Sequence, residues 1–303
     1  MHHRTHQLAI NPPLLVDIEP TNDCNAKCIM CPHSKMKRKK GVMGWELFKR
    51  IADDCARFKV PEVSLNGFGE PLLDSLLIDR IKYLKKSGIP VIRIYTNAAL
   101  LKGEIVEKLI HSGLDSINTC IDGVTKNVFE KIRPGLDLNI VEKNVIEFIK
   151  LRNKMGKKKP EVFIGFLRLA ENEAEWNAFV NRWSPIADGI YRAIPSNWAN
   201  SVKLTPTLND DFHYQKGHYR SPCIFLWKMV SVQYNGDVAL CCRDYEGKFI
   251  LGNLQEFNLK DIWDSKKLKT VRQIHLDGNI EYVSLCANCH SPDSMSPTIW
   301  WNV

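Results

Sequence analysis

The sequence predicts an α/β protein in which a partial (β/α)6 barrel, residues 1–200, precedes a small α+β domain, residues 201–303. Before residue 200, apolar segments typical of strands alternate about six times with segments of helical apolar spacing. Alternation of this kind indicates parallel strands joined by right-handed connections. After residue 200 the chain becomes polar and irregular, and the alternation stops. A chain of 303 residues is long enough for both parts.

Each barrel strand is predicted from a short run of apolar and β-branched residues, and each helix from apolar residues three or four positions apart. Gly88 is expected to end the second helix. The predicted strands are 14–20, 62–73 (running into a Gly/Pro turn), 91–97, 115–123, 161–169 and 188–195. The predicted helices are 44–58, 76–88, 102–113, 138–154 and 171–183. Functional residues of such barrels lie at the carboxyl ends of the strands, so the following loops are where a site is expected.

The second domain is predicted from a β-hairpin and a cysteine-containing loop. Residues 227–242 alternate apolar and polar side chains around Asn235-Gly236, a dipeptide typical of hairpin turns. The other predicted segments are a linker over 201–222, a helix over 259–276 and a tight metal-binding loop over 286–291.

Composition and charge exclude several classes of protein. Hydrophobic residues make up 44% and charged residues 25% of the chain, which are globular values. No run of about 18 apolar residues indicates a membrane span, and the N-terminus lacks the apolar stretch of a signal peptide. We therefore expect a cytoplasmic protein whose cysteines are reduced and serve as ligands or catalysts. Basic runs at 35–40 and 157–159 contribute to the net charge of +8 and are expected to be solvated loops.

Three cysteines, Cys24, Cys28 and Cys31, follow the first predicted strand at the spacing C-x3-C-x2-C. A cluster of four irons and four sulfides usually takes four thiolates, so three thiolates leave one iron open. An open coordination position is how metal sites bind substrate. S-adenosylmethionine (SAM) can occupy it through its amino and carboxylate groups. The alternative is a zinc site completed by His33 or by a distant residue, although C-x3-C is unusual for zinc.

This cysteine motif resembles that of the radical SAM superfamily, and it occurs at the place expected for that family. Three further motifs resemble the family's in order along successive strands: "FGEP", "YTN" and "TCIDG". The resemblance implies a partial TIM barrel that reductively cleaves SAM to a 5′-deoxyadenosyl radical, which abstracts a hydrogen atom. The residues it implies for SAM binding are Phe68, Gly69, Glu70, Pro71, Thr96, Asn97, Cys120 and Asp122. Arg168, at the end of the fifth predicted strand, is the expected partner of the SAM carboxylate, since a guanidinium matches carboxylate geometry. The chain departs from the family where Phe68 and Ala98 replace glycines and Cys120 replaces a serine.

The C-terminal cysteines suggest a second metal centre. They are Cys223, Cys241, Cys286 and Cys289, at the spacing C-x17-C followed by C-x2-C. This region resembles the SPASM/twitch domains of radical SAM enzymes, which implies an auxiliary 4Fe–4S cluster with four thiolate ligands. Strand alternation places Cys241 and Cys242 on opposite faces, so we do not expect both to be ligands. A zinc ion held by four cysteines is the alternative.

The fate of the substrate radical separates the predicted reactions. With the auxiliary cluster as electron acceptor, the reaction is dehydrogenation of a small carbohydrate- or cyclitol-like molecule, as in the 2-deoxy-scyllo-inosamine dehydrogenase-like members that the chain resembles. With a cysteine as hydrogen donor, Cys120 or less favourably Cys242, the reaction is epimerisation. Peptide maturation is a third possibility. It is disfavoured because only 13 residues precede the first predicted strand, too few for a peptide-recognition domain.

Other partners are predicted from the loops and from the chemistry. Ser196, Asn197 and Trp198 follow the sixth predicted strand and are expected to line the substrate pocket. The resemblance implies an external one-electron reductase of the flavodoxin or ferredoxin type. A non-enzymatic alternative is a zinc-bearing module whose basic loops contact nucleic acid. It lacks the aromatic platforms typical of single-strand binding.

Overall fold

The structure is a computed structural model that describes residues 11–199, 201–202 and 222–289, and the backbone of 299–301. Six parallel strands lie side by side in chain order, and each pairs with the next. They are β1 (Leu15–Ile18), β2 (Glu62–Leu65), β3 (Val91–Thr96), β4 (Ser116–Cys120), β5 (Glu161–Leu167) and β6 (Gly189–Ala193). This order is that of six consecutive β-α units, so the predicted partial (β/α)6 barrel is confirmed.

Helices connect the barrel strands and cover one face of the sheet. They are α1 (Trp45–Arg57), α2 (Leu77–Lys86), α3 (Glu104–Ile110), α4 (Lys126–Ile132), α5 (Leu138–Lys154) and α6 (Trp176–Trp183). The sequence did not predict α4, a seven-residue helix between β4 and α5. In contrast, α5 begins where Asp137 accepts a hydrogen bond from the backbone N–H of Ile140, as an N-cap residue does.

Side-chain alternation along the strands separates an apolar layer from a polar barrel interior. In β1, Val16 and Ile18 are fully buried in the core shared with the helices. Asp17 has the opposite orientation, because successive residues of a strand point to opposite faces. In β4, Ile117 lies in the helix-facing core, whereas Cys120 lies on the interior face. The interior is therefore available for polar chemistry.

The C-terminal domain extends the barrel sheet. Its strands are β7 (Met229–Val232), β8 (Asp237–Ala239) and β9 (Ile250–Asn253). β7 and β8 form the predicted hairpin, with Gly236 at a φ of 90° in its turn. β7 also pairs in parallel with β1. At the opposite edge, the backbone of β10 (Ile299–Trp301) pairs antiparallel with β6.

Short helices complete this domain. They are α7 (Phe225–Lys228), α8 (Leu259–Trp263), α9 (Lys266–Leu276) and α10 (Ser284–Ala287). The single helix predicted over 259–276 is wrong, because Ser265 breaks it and caps α9 by accepting from the N–H of Leu268. Most of the predicted linker over 201–222 lies outside the described residues. None of the helices in the described part of the chain has the length and apolarity needed to cross a membrane.

Candidate active site

The first cysteine loop follows β1 and is fixed against the end of α4. It carries Cys24, Cys28 and Cys31. The N–H of Ile29 donates to the carbonyl of Ile132 at 3.0 Å. A second backbone hydrogen bond joins Lys27 to Pro134 at 2.8 Å. The segment between the cysteines is thus held by α4, the helix that the sequence did not predict.

The "FGEP" turn after β2 lies directly against this loop. A Cβ atom added to Gly69 would lie 2.2 Å from the carbonyl oxygen of Thr21 and 2.6 Å from that of Asp23. The N–H of Glu70 donates to the same Asp23 carbonyl at 2.8 Å. Glycine is therefore required at position 69 by the close approach of two backbone segments.

Glu70 joins this turn to the "TN" turn that follows β3. Its Oε1 accepts from the hydroxyl of Thr96 at 2.6 Å, and its Oε2 accepts from the N–H of Asn97 at 2.7 Å. Burial raises the pKa of Glu70, and these hydrogen bonds offset part of the rise. The amide of Asn97 also donates to Asn25, inside the cysteine motif, at 2.7 Å. The structure thus brings together Glu70, Thr96 and Asn97 as the frame around the first cysteine loop. Pro71 begins the short 3-10 turn Pro71–Leu73 beside them.

Asp122, after β4, holds an arginine that the sequence analysis did not single out. Its Oδ2 accepts from Arg133 Nε at 2.7 Å and Nη2 at 2.6 Å, while Oδ1 accepts from the N–H of Leu167 at 2.7 Å. Arg133 Nη1 lies 3.8 Å from Cys28 Sγ. A cation therefore lies beside one predicted cluster ligand. Arg133 precedes Pro134-Gly135 in a turn, a context that gives no sequence signal for this role.

Arg168 lies at the carboxyl end of β5, as expected, but it is paired within the protein. Its Nε donates to Glu173 Oε2 at 2.8 Å, and Glu173 Oε1 accepts from Arg192 at 2.8 Å. The structure gives Arg133, not Arg168, the contact with the cysteine loop.

Cys120 lies in register with two residues of the neighbouring strands. Cys120 pairs with Gly165 of β5, which pairs with Tyr191 of β6. Because Gly165 has no side chain, the ring of Tyr191 can cross β5. The Tyr191 hydroxyl therefore lies 3.6 Å from Cys120 Sγ. Burial raises the pKa of the Cys120 thiol, so the thiol is protonated near neutral pH.

The auxiliary cysteines line one cavity in the C-terminal domain. They are Cys223, Cys241, Cys286 and Cys289. Cys242 lines a different cavity, so the two neighbouring cysteines face different spaces. The N–H of Arg243 donates to Cys241 Sγ at 3.4 Å, and Arg243 lines both cavities.

The chemistry of both cysteine groups fits bound clusters. Burial raises the pKa of Cys31 to about 12 and that of Cys223 to about 11. Such thiols stay protonated near neutral pH unless a bound cation replaces the lost hydration. In the described ranges, no three His, Cys, Asp or Glu side chains converge closely enough to hold one metal ion.

The three predicted substrate residues, in the segment after β6, each make different contacts. Trp198 lines a cavity, and its indole N–H donates to the carbonyl of Met30 at 2.7 Å. The amide of Asn197 donates to the carbonyl of Asn288 at 2.7 Å, so this side chain contacts the auxiliary cysteine loop. The hydroxyl of Ser196 accepts from the N–H of Trp198 at 3.1 Å and shapes the turn.

A polar cavity of about 330 Å³ opens between the barrel and the C-terminal domain. Burial raises the pKa of Asp17 to about 7, with a further rise from Glu62 and an opposing effect of Arg93. Burial likewise raises the pKa of Tyr95 to about 12. The cavity's other lining residues are Glu19, Asn66, Gly67, Phe68, Trp198, Ser231, Val232, Gln233, Cys242, Arg243 and Asp244. The sequence carried a signal for Asp17, since a carboxylate inside the apolar strand "LLVDIEP" is unusual.

The basic run at 35–40 is not uniformly solvated, and the expectation is wrong for Arg38. Its guanidinium donates to Glu19 Oε1 at 2.9 Å and Oε2 at 3.0 Å, and its side chain is only 10% exposed. Arg38 Nε also donates to the carbonyl of Tyr245 at 2.6 Å. Arg38 therefore joins the first cysteine loop to the C-terminal domain. It also supplies the positive charge that the buried carboxylate of Glu19, just after β1, requires as a partner.

Two family models match the chain. One, described as the radical SAM superfamily, matches residues 18–181. The other, described as an iron-sulfur cluster-binding domain, SPASM, matches residues 223–290. The chain therefore belongs to the radical SAM superfamily and carries a SPASM domain. SAM and two 4Fe–4S clusters are the cofactors of this architecture. Membership of this superfamily argues against the alternative prediction of a zinc-bearing module that binds nucleic acid.

The relatives include proteins with different substrates. The tungsten-containing aldehyde ferredoxin oxidoreductase cofactor-modifying protein of Pyrococcus furiosus is 26% identical over 91% of this chain and 87% of its own length. The S-adenosyl-L-methionine-dependent 2-deoxy-scyllo-inosamine dehydrogenase of Niallia circulans is 23% identical, covering 91% and 92%. BtrN in complex with AdoMet and 2-DOIA matches with a TM-score of 0.61 at 19% identity, covering 91% and 92%. Streptococcus suis SuiB bound to precursor peptide SuiA matches with a TM-score of 0.69 at 18% identity, covering 87% and 67%.

Proposed function

We propose that the chain is a radical SAM dehydrogenase that oxidises an alcohol of a small carbohydrate- or cyclitol-like molecule. The observation that carries this proposal is the polar cavity of about 330 Å³, which has Asp17 on its wall and Arg243 toward the auxiliary cysteines. A cavity of this size suits one small ring. The cyclitol dehydrogenase among the relatives, which aligns over nine-tenths of both chains, supports the same reaction.

Two groups of cysteines hold the cofactors in this proposal. The SAM-binding cluster is held by Cys24, Cys28 and Cys31, and the auxiliary cluster by Cys223, Cys241, Cys286 and Cys289. When bound, SAM with its cluster supplies a 5′-deoxyadenosyl radical that removes a hydrogen atom, and the auxiliary cluster supplies an electron acceptor. Arg133 is the partner we propose for the SAM carboxylate, since a guanidinium matches carboxylate geometry and Arg133 Nη1 lies 3.8 Å from Cys28 Sγ, beside the first cluster site.

Asp17 takes the proton in the proposed oxidation. Converting an alcohol to a ketone removes one hydrogen atom from carbon, one electron and the hydroxyl proton. The carboxylate of Asp17 accepts that proton at the cavity wall. Its pKa of about 7 suits a base that must be ionised near neutral pH and still hold a proton. Phe68, Tyr95 and Trp198 give the cavity aromatic walls.

Epimerisation is the second candidate, because Cys242 lines the same cavity. In that reaction the thiol of Cys242 gives a hydrogen atom to the substrate radical, and an external reductant and a proton restore the thiol. Cys120, the donor predicted first, contacts Tyr191 and is absent from the described lining of the cavity. The size of the cavity favours a small substrate over the peptide alternative, to which the peptide-bound structural relative belongs.

The electrons must come from outside the chain, so we propose an external one-electron reductase of the flavodoxin or ferredoxin type. Cysteines that serve as metal ligands rather than in disulfides are typical of a reducing compartment, so we propose that the protein acts in the cytoplasm.

The test uses anaerobically reconstituted protein and a panel of cyclitols and aldoses. A substrate is expected to increase 5′-deoxyadenosine formation and to yield a ketone, detected by mass spectrometry. Asp17→Asn is expected to lower ketone formation at least tenfold while SAM cleavage without substrate persists. The exposed carboxylate Asp79 provides the matched control, Asp79→Asn.

The same assay in D2O separates the two reactions. If the product is not oxidised but carries deuterium, and Cys242→Ser abolishes this deuterium incorporation, the reaction is epimerisation and the proposed dehydrogenase activity is wrong. A ketone without deuterium incorporation supports dehydrogenation.

A further inference from the structure

Two consecutive residues connect the two cysteine regions of the protein. The indole N–H of Trp198 donates to the carbonyl of Met30, between Cys28 and Cys31, at 2.7 Å. The amide of Asn197 donates at 2.7 Å to the carbonyl of Asn288, between Cys286 and Cys289. One dipeptide therefore holds the backbone of both cysteine loops, although those loops are more than 250 residues apart in the sequence.

The backbone of this segment is strained where it makes these contacts. Trp198 and Ala199 have φ angles of 49° and 53°, in the left-handed region that side chains other than glycine rarely adopt. The carbonyl of Asn197 accepts from the N–H of Ser201 at 2.9 Å and of Val202 at 3.1 Å, which closes the turn. Strain of this kind persists only where surrounding contacts require it, and it is commonest at functional sites.

Trp198 also contacts both walls of the polar cavity. Its ring lies edge-on to Phe68 of the "FGEP" turn, with ring centroids 5.4 Å apart. On the other side, the guanidinium carbon of Arg243 lies 5.0 Å from the ring centroid. The backbone N–H of Arg243 in turn donates to the sulfur of Cys241. The indole thus lies between the SAM-site turn and the auxiliary cysteine hairpin.

We propose that Asn197 and Trp198 are positioning residues that set the separation and orientation of the two clusters on either side of the cavity. Each supplies one hydrogen bond to one cysteine loop, and their covalent adjacency links the two loops rigidly. This role concerns the two cluster sites themselves and holds whichever substrate the cavity accepts.

Pulsed electron paramagnetic resonance of the reconstituted protein, with both clusters reduced, tests this proposal through the dipolar coupling between the clusters. Trp198→Phe keeps an aromatic ring but removes the indole donor, and Asn197→Asp keeps the side-chain shape but removes the amide donor. Losing one such hydrogen bond is expected to raise the population of displaced loops about fivefold, which broadens the inter-cluster distance distribution. Iron and sulfide counts verify that both clusters remain.

Trp183→Phe is the matched control, because Trp183 is fully buried in α6 and its indole N–H has no hydrogen-bond partner among the described residues. It should leave the distribution as in the wild type. A wild-type distribution in both Trp198→Phe and Asn197→Asp would overturn the proposal. Because the measurement needs no substrate, its outcome is independent of whether the dehydrogenase assignment is correct.

Discussion

The carboxylate of Asp122 fixes the guanidinium of Arg133 beside the sulfur of Cys28. Two hydrogen bonds of 2.7 and 2.6 Å join Asp122 Oδ2 to the guanidinium, and Arg133 Nη1 lies 3.8 Å from Cys28 Sγ. Asp122 is fully buried, so its charge requires this partner. The pair therefore holds the Nη1 end of the Arg133 guanidinium at a fixed position beside the first cysteine loop.

Arg133→Gln is expected to lower the reduction potential of the first cluster, because a nearby cation stabilises the more negative, reduced form. An effect of about 60 mV corresponds to a tenfold change in a one-electron equilibrium. Redox titration followed by electron paramagnetic resonance measures the shift. Arg168→Gln, which removes the guanidinium paired with Glu173, is the comparison and should shift the potential less. Equal shifts in the two variants would show that the Cys28 contact has no special effect.

Gly69→Ala is expected to weaken binding of the first cluster and to destabilise the fold by about 1–3 kcal/mol, because the added Cβ overlaps the carbonyls of Thr21 and Asp23. Iron content and the free energy of unfolding measure the two effects. Gly44→Ala is the control, since its Cβ would meet no atom within 4 Å. If Gly69→Ala retained full iron content and stability, the close packing of the two backbones would not matter for the site.

Asp17 gives the fold a defined pH dependence. Its folded pKa of about 7 exceeds the ordinary value of 3.8, so the folded state binds more protons between these values. The free energy of unfolding should therefore fall as the pH rises from about 4 to 7, by an amount on the order of 2–4 kcal/mol. Denaturant titrations of wild type and Asp17→Asn measure this contribution as the difference between their pH profiles. Parallel profiles would contradict the raised pKa.

Ala98→Gly is expected to leave the free energy of unfolding within about 0.5 kcal/mol of the wild-type value. Ala98 has a φ of 60° in the turn after β3, which strains a residue with a Cβ atom. Relief of this strain is offset by the entropy that glycine adds to the unfolded chain and by the loss of a methyl group that is fully buried in the core. Thermal unfolding measures the change. Ala56→Gly within α1 should destabilise the protein by about 1 kcal/mol, and an equal loss of stability in Ala98→Gly would show that the turn holds alanine without strain.

The barrel could be predicted because its signals are local and repeated. Within each strand, the alternation of apolar and polar residues indicates which face is buried, and between strands the helical spacing of apolar residues does the same. In β4, Ile117 lies on the face that packs against the helices, and Cys120 lies on the interior face. The four cysteines that the resemblance implied for the auxiliary cluster, Cys223, Cys241, Cys286 and Cys289, line one cavity.

The contacts that hold the site could not be predicted in the same way. Glu70 binds Thr96 and Asn97 through the relative placement of two loops, a property of the assembled sheet. Asn197 resembled a pocket residue in the sequence, but its partner Asn288 comes near only after the C-terminal domain docks. Side chains that join distant segments carry no periodic signal.

The parallel pairing of β1 with β7 means that the barrel cannot be separated from the C-terminal domain without exposing a strand edge. Strand β1, which leads into the first cysteine loop, lies inside the sheet only because β7 covers its outer edge. A truncated chain ending near residue 200 would leave β1 as an unpaired edge strand, which is a template for aggregation. It would also lose the Tyr245 carbonyl that accepts from Arg38. During synthesis, β1 therefore lacks this partner until β7 has left the ribosome.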